Sequence, residues 1–152
     1  MTGVRMGERY LQIFCSDKTL TSGLAMKTGL SGTAALAAPD EQHASRARAA
    51  AEKAGALIDV QVGPPLSWTW QRDAFDMIVI DNTAGSFTEM GDSDRGALLL
   101  AARRVLRQGG RVELIERVEN KSSEPLLQTA GFRPVRTLAE KDGFRFVEGL
   151  NA

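Results

Sequence analysis

One cysteine, Cys15, and one histidine, His43, are all that 152 residues provide of either type. A lone cysteine excludes an internal disulfide and a cysteine-based zinc cluster, and a lone histidine excludes a histidine-based one. Net charge is also missing. Lys plus Arg and Asp plus Glu both number 19, which removes the electrostatic footprint of a dedicated nucleic-acid or anionic-membrane binder, though not a local patch. No apolar run approaches the roughly 20 residues of a membrane helix. The opening "MTGVRMGER" has no apolar middle of the kind a signal peptide carries. The expectation is a cytoplasmic protein with no membrane and no nucleic acid among its partners.

What is present is an ordinary globular balance, with 43% hydrophobic and 25% charged residues. The length suits one domain spanning residues 1–152 with a single core. "YLQIFCSDK" begins as a buried strand and turns polar after Cys15, which reads as a core thiol closing an apolar strand. A helix is expected from about Thr19 to Thr28, ending at Gly29, and a short strand over Thr33 to Ala37. Pro39 and Asp40 then open an Ala/Arg/Glu-rich helix that stops at Gly55.

"ALIDVQVG" alternates as a third strand does, while the prolines of "PPLSWTWQRDA" favour an irregular crossover. "FDMIVIDN" has the continuous apolar centre of a parallel strand buried on both faces. Asp92 to Asp94 are candidate N-caps for the helix "RGALLLAARRVLRQ", which is expected to stop at Gly109-Gly110. "RVELIERV" follows as the fifth strand. A short helix (Glu124 to Ala130), a strand from Phe132 to Leu138, a turn at Lys141-Asp142-Gly143 and a strand from Phe144 to Glu148 complete the chain as an antiparallel hairpin. The alternation predicts an α/β, doubly wound, mostly parallel sheet of seven strands.

"FDMIVIDN", the run "ALLLAARRVLRQGGRVELIE" with its Val-Leu-x-x-Gly-Gly turn, and "AGFRPVRTL" followed by "GFRFVEG" together resemble the class I S-adenosylmethionine-dependent methyltransferases. The resemblance runs from about Glu8 to Leu150. It implies a Rossmann-like methyltransferase fold with a cofactor crevice at the carboxyl ends of the first strands.

Laying the family's pattern on this chain places Gln12 where an acid is usual and Phe14, Ser16 and Lys18 on three glycines. Phe14 brings a side chain into space that glycine leaves open. Ala38 stands for the acid after the second strand, and Gly63-Pro64 for the acid after the third. The resemblance therefore implies a methyltransferase-like protein with a degenerate S-adenosylmethionine site, a pseudoenzyme for which no cofactor is expected. Such a protein would act through a protein partner, a second copy of itself or another small molecule. The alternative is an active methyltransferase with an atypical loop and S-adenosylmethionine as its cofactor.

No catalytic or metal-binding residue stands out. The positions at the rim of the implied pocket are Cys15, Ser16, Asp17, Lys18, Asp40 and Asp81. "CSDKTLTS" precedes a helix and offers capping groups, or an anion site with Lys18 as counter-charge. Asp40 reads as a helix N-cap. Asp81, Asn82 and Thr83 end the fourth strand, with Glu89, Asp92 and Asp94 beyond them, and read as solvated or capping groups. His43 reads as solvated or capping. Trp68 and Trp70 either stack on a planar ligand or anchor a partner, or else fill the crevice or cover the sheet edge.

Overall fold

The computed structural model describes residues 7–16, 19–21, 23–24 and 33–152. Asp17, Lys18 and most of the expected Thr19–Thr28 helix beyond Leu24 lie outside the described residues; residues 19–21 and 23–24 are helical. Seven strands form one sheet: β1 (Arg9–Ile13), β2 (Thr33–Ala38), β3 (Asp59–Val62), β4 (Phe75–Asn82), β5 (Leu106–Arg117), β6 (Val135–Lys141) and β7 (Phe144–Leu150). Their order is β3-β2-β1-β4-β5-β7-β6. The first five strands pair in parallel, and β7 lies antiparallel to both β5 and β6. The order reverses between β1 and β4, and in open sheets of this kind a crevice opens at the carboxyl ends of the strands at that point.

Alternating side chains divide the core between the two faces. Leu11, Ile13, Ile78, Ile80 and Leu114 meet helix α2 (Asp92–Val105) and helix α3 (Glu124–Thr129) on one face. Leu36 and Ala38 meet helix α1 (Glu41–Ala54) on the other, where Tyr10, Met77, Val79 and Ile115 also pack around Leu24. The residues that α1 buries are all alanines, Ala44, Ala47, Ala50 and Ala51, which allow its backbone to approach the sheet closely. Its ends match their sequence signals. Asp40 accepts the His43 backbone N–H at 3.0 Å, and Gly55 closes the helix in the left-handed conformation at φ 66°.

The largest departure from the sequence reading lies between α2 and β5. The helix is capped by Gly91, with Asp92 and Asp94 inside its first turn, and it ends at Val105. Leu106 is already strand, paired with Phe75 and fully buried. Residues 107–110 then bulge out opposite Asp76 before pairing resumes at Met77 and Arg111. The Gly-Gly pair therefore serves a bulge in the strand. A Cβ on Gly110 would stand 2.9 Å from the Asp76 carbonyl oxygen, so any side chain there would push the two backbones apart.

The other shifts are smaller. β3 is shorter than the apolar run suggested. β6 begins at Val135 because Phe132 leaves the sheet edge to fill the core, fully buried against Gly149. β6 and β7 each run on to Lys141 and Leu150.

Candidate functional site

At the carboxyl ends of β1, β2 and β3 the structure holds a cavity of about 400 Å³. Ile13 and Phe14 form its floor, Ala37 to Pro39 and Gly63 to Leu66 one wall, and Met90, Asp94, Ala97 and Leu98 the other, with Trp68 between them. Asp94 is the one ionisable group among the described lining residues. Leu66 stands 96% exposed at the mouth.

The floor is built around Phe14, which carries φ 70° and is 5% exposed. A side-chain-bearing residue in the left-handed region costs about 1 to 2 kcal/mol relative to its ordinary conformation, so packing must hold it there. The ring packs in the core cluster with Trp68 and Leu98 and contacts the His43 ring, centroid to centroid 5.8 Å.

Hydrogen bonds fix the loop on both sides of that residue. Phe14 donates its N–H to the Ala37 carbonyl at 3.0 Å, and Cys15 donates its N–H to His43 Nδ1 at 3.0 Å. The Ser16 N–H reaches Asp81 Oδ2 at 2.9 Å. From the other direction, Gln12 Nε2 donates to the Phe14 carbonyl at 2.8 Å and Arg46 to the Cys15 carbonyl at 2.9 Å. Three successive amides are therefore bonded within the protein.

The rim positions named from the sequence fall into place accordingly. Cys15 is fully buried beneath α1, its thiol 3.2 Å from the Thr21 hydroxyl. Asp40 caps α1. Asp81 is fully buried, in contrast to the expected solvated position, and accepts from the Thr83 hydroxyl at 2.6 Å as well as from Ser16. Asn82 is likewise buried, accepting the Phe87 and Thr88 amides. The strand end thus satisfies its polar groups locally, which makes burial tolerable. His43 is neither a cap nor solvated: it is half-buried, and burial, partly offset by Asp40, lowers its pKa. An Nδ1 that accepts an N–H places the imidazole proton on Nε2.

Trp68, 8% exposed, is cavity wall, so crevice filling describes it best. Its indole N–H has no hydrogen-bond partner among the described residues. Trp70 packs edge-on between Trp68 and Phe75 and donates to Asp59 at 2.9 Å, covering β3.

Sequence reasoning missed His43, Arg46 and Gln12 as fasteners and Met90 and Leu98 as wall. Contacts such as Cys15 with His43 span 28 residues and leave no local signal. Among the described residues no group of three or more His, Cys, Asp or Glu side chains could hold a metal ion, and no helix is long and apolar enough to cross a membrane.

Comparison with solved structures reaches a SAM-dependent methyltransferase from Aquifex aeolicus at a TM-score of 0.79 and 16% identity, covering 99% of this chain and 86% of that one. The fold is that of the SAM-dependent methyltransferases. TrmN from Thermus thermophilus matches at a TM-score of 0.74 and 22% identity over 99% of this chain and 46% of its own. PigF with SAH matches at 0.68 and 15% over 95% and 50%. This chain thus spans about half the length of the latter two. No protein-family model matches the sequence, and no curated protein does. Within the methyltransferase fold, the Phe14 loop and the cavity occupy the topological switch point, where the order of strands leaves room for a ligand.

Proposed function

We propose that this methyltransferase-fold protein does not use S-adenosylmethionine at its crevice and binds a different small molecule there. The observation that carries the reading is the Phe14 loop. Its backbone is bent to a glycine conformation, yet a phenyl ring fills the space that glycine would leave, and its amides are already bonded to Ala37, His43 and Asp81. An adenosyl group asks for backbone donors and carboxylate anchors at these strand tips. Ala38 and Pro64 offer no carboxylate, and Asp40 is engaged at the end of α1. The described residues do not fit that group.

Freeing the loop breaks several bonds worth on the order of 1 kcal/mol each, and every 1.4 kcal/mol is tenfold in affinity. Calorimetric titration with S-adenosylmethionine and S-adenosylhomocysteine tests the reading: dissociation constants weaker than about 1 mM are expected, and micromolar binding of either overturns it.

The second reading, an active methyltransferase with an atypical loop, draws support from the cavity itself, which remains open in a fold that PigF shares while holding SAH. Micromolar cofactor binding followed by methyl transfer to a screened acceptor would establish it.

A further inference from the structure

We infer that the ligand of this cavity is an arylalkylamine: a flat apolar body held against Phe14, Trp68 and Leu98, with a cationic alkylammonium nitrogen at the mouth beside Asp94. The inference rests on the proposed loss of the adenosyl site and adds the chemistry of the replacement.

The walls set the body. Ile13, Phe14, Ala37, Pro64 and Leu98 present mostly carbon to the cavity, so a polar group buried among their side chains would give up water for few partners. Aromatic edges and faces favour a flat ring over a branched aliphatic chain. A cavity of about 400 Å³ lies within the range of small-molecule sites.

The mouth sets the charge. The first turn of α2 carries two acids. Asp92 is paired with Arg95, whereas Asp94 makes no hydrogen bond or ion pair with the described residues. Its carboxylate points the electrostatics of the mouth toward a cation, overriding the weak attraction for anions of a helix N-terminus. No described lining residue is a lysine, arginine or histidine, so a carboxylate or phosphate on the ligand would find no counter-charge among them.

The test compares three probes of one shape: 2-(1-naphthyl)ethylamine, 2-(1-naphthyl)ethanol and 1-naphthylacetate. Each is titrated into the full chain while the Trp68 indole N–H resonance is followed by NMR, and S-adenosylmethionine is titrated in the same way. The amine is expected to bind tightest, the alcohol about threefold to tenfold weaker, as befits a solvent-exposed charge pair, and the carboxylate weakest. Asp94→Asn should bring the amine to the affinity of the alcohol and leave the alcohol unchanged. Ala97→Phe, which fills the cavity from an exposed helix position, should weaken all three probes.

A carboxylate that binds as well as the amine, an unchanged amine affinity in Asp94→Asn, or no shift of the Trp68 resonance with any probe overturns the inference. Those results leave the functional proposal standing unless S-adenosylmethionine itself binds. Micromolar binding of that cofactor overturns the proposal whatever order the naphthyl probes take.

Discussion

His43 accepts the backbone N–H of Cys15 across 3.0 Å, joining the first turn of α1 to the loop that floors the cavity. The bond requires a neutral imidazole, because protonated Nδ1 would face the amide as a second donor. Burial lowers the folded-state pKa below the ordinary value, with Arg46 acting in the same direction and Asp40, Asp81 and, least, the Cys15 backbone opposing it. A histidine whose folded pKa is depressed contributes stability above its unfolded pKa, near 6.5, and loses it as pH falls through the folded value. Urea midpoints should therefore drop between pH 7 and pH 5. His43→Ala should remove about 1 kcal/mol at pH 7 and flatten that dependence. An unchanged slope in the variant would place the pH sensitivity elsewhere.

Phe14→Gly sets two effects against each other. Relief of the left-handed strain returns about 1 to 2 kcal/mol, while removing a buried phenyl ring costs about 3 to 5 kcal/mol. The loss wins. Chemical denaturation should show a net destabilisation of about 1 to 4 kcal/mol, whereas a variant as stable as the parent would mean the ring contributes little packing.

Asp76 lies at the amino-terminal end of the sheet between two arginines, accepting from Arg9 at 2.9 Å and Arg107 at 2.8 Å. The hydrogen bonds from Arg9 are the first cause holding its carboxyl well below the usual range. A depressed carboxylate gives stability that is present above its unfolded pKa, near 3.9, and lost as pH falls through the folded value. Asp76→Asn should cost on the order of 1 kcal/mol at pH 7, since both arginines are partly solvated. Below pH 3 the difference from the parent should narrow, and thermal melts at the two pH values check both statements.

Glu116 is fully buried at the end of β5. It accepts the Ser123 amide and hydroxyl at 3.0 and 2.7 Å and Arg145 at 2.9 Å. Arg145→Met leaves that carboxylate without its cation, a change expected to cost about 3 to 5 kcal/mol. Replacing both, as Glu116→Gln with Arg145→Met, should recover part of the loss. A double variant no better than the single one would show that the arginine acts through its bonds to the Val118 and Asn120 carbonyls instead.

Where local chemistry decides the outcome, the sequence was readable. β4 could be placed at Phe75–Asn82 because a continuous apolar run flanked by acids admits few other structures, and α1 because Asp40 and Gly55 are effective caps. The end of α2 was not readable. Val105-Leu106 suits a helix or a strand equally, and the choice is made by Phe75, which pairs with Leu106, and by Asn151, whose side chain donates to the Leu106 carbonyl at 2.8 Å. At the site, the residues laid on the family's carboxylate and glycine positions, Ala38, Pro64 and Phe14, do line the cavity. The fastening of the loop was not readable, because each bond joins residues brought together only by the finished sheet.

The hub position of β1 bears on how the chain acquires its structure. Tyr10 is flanked by Ala34 on one side and by Met77 on the other. Closing the second pairing means bringing together segments 67 residues apart, an entropic cost met before any reward arrives. While a growing polypeptide is shorter than that span, the central strand shows a bare flank to its neighbours in solution, and refolding yield should fall steeply with protein concentration.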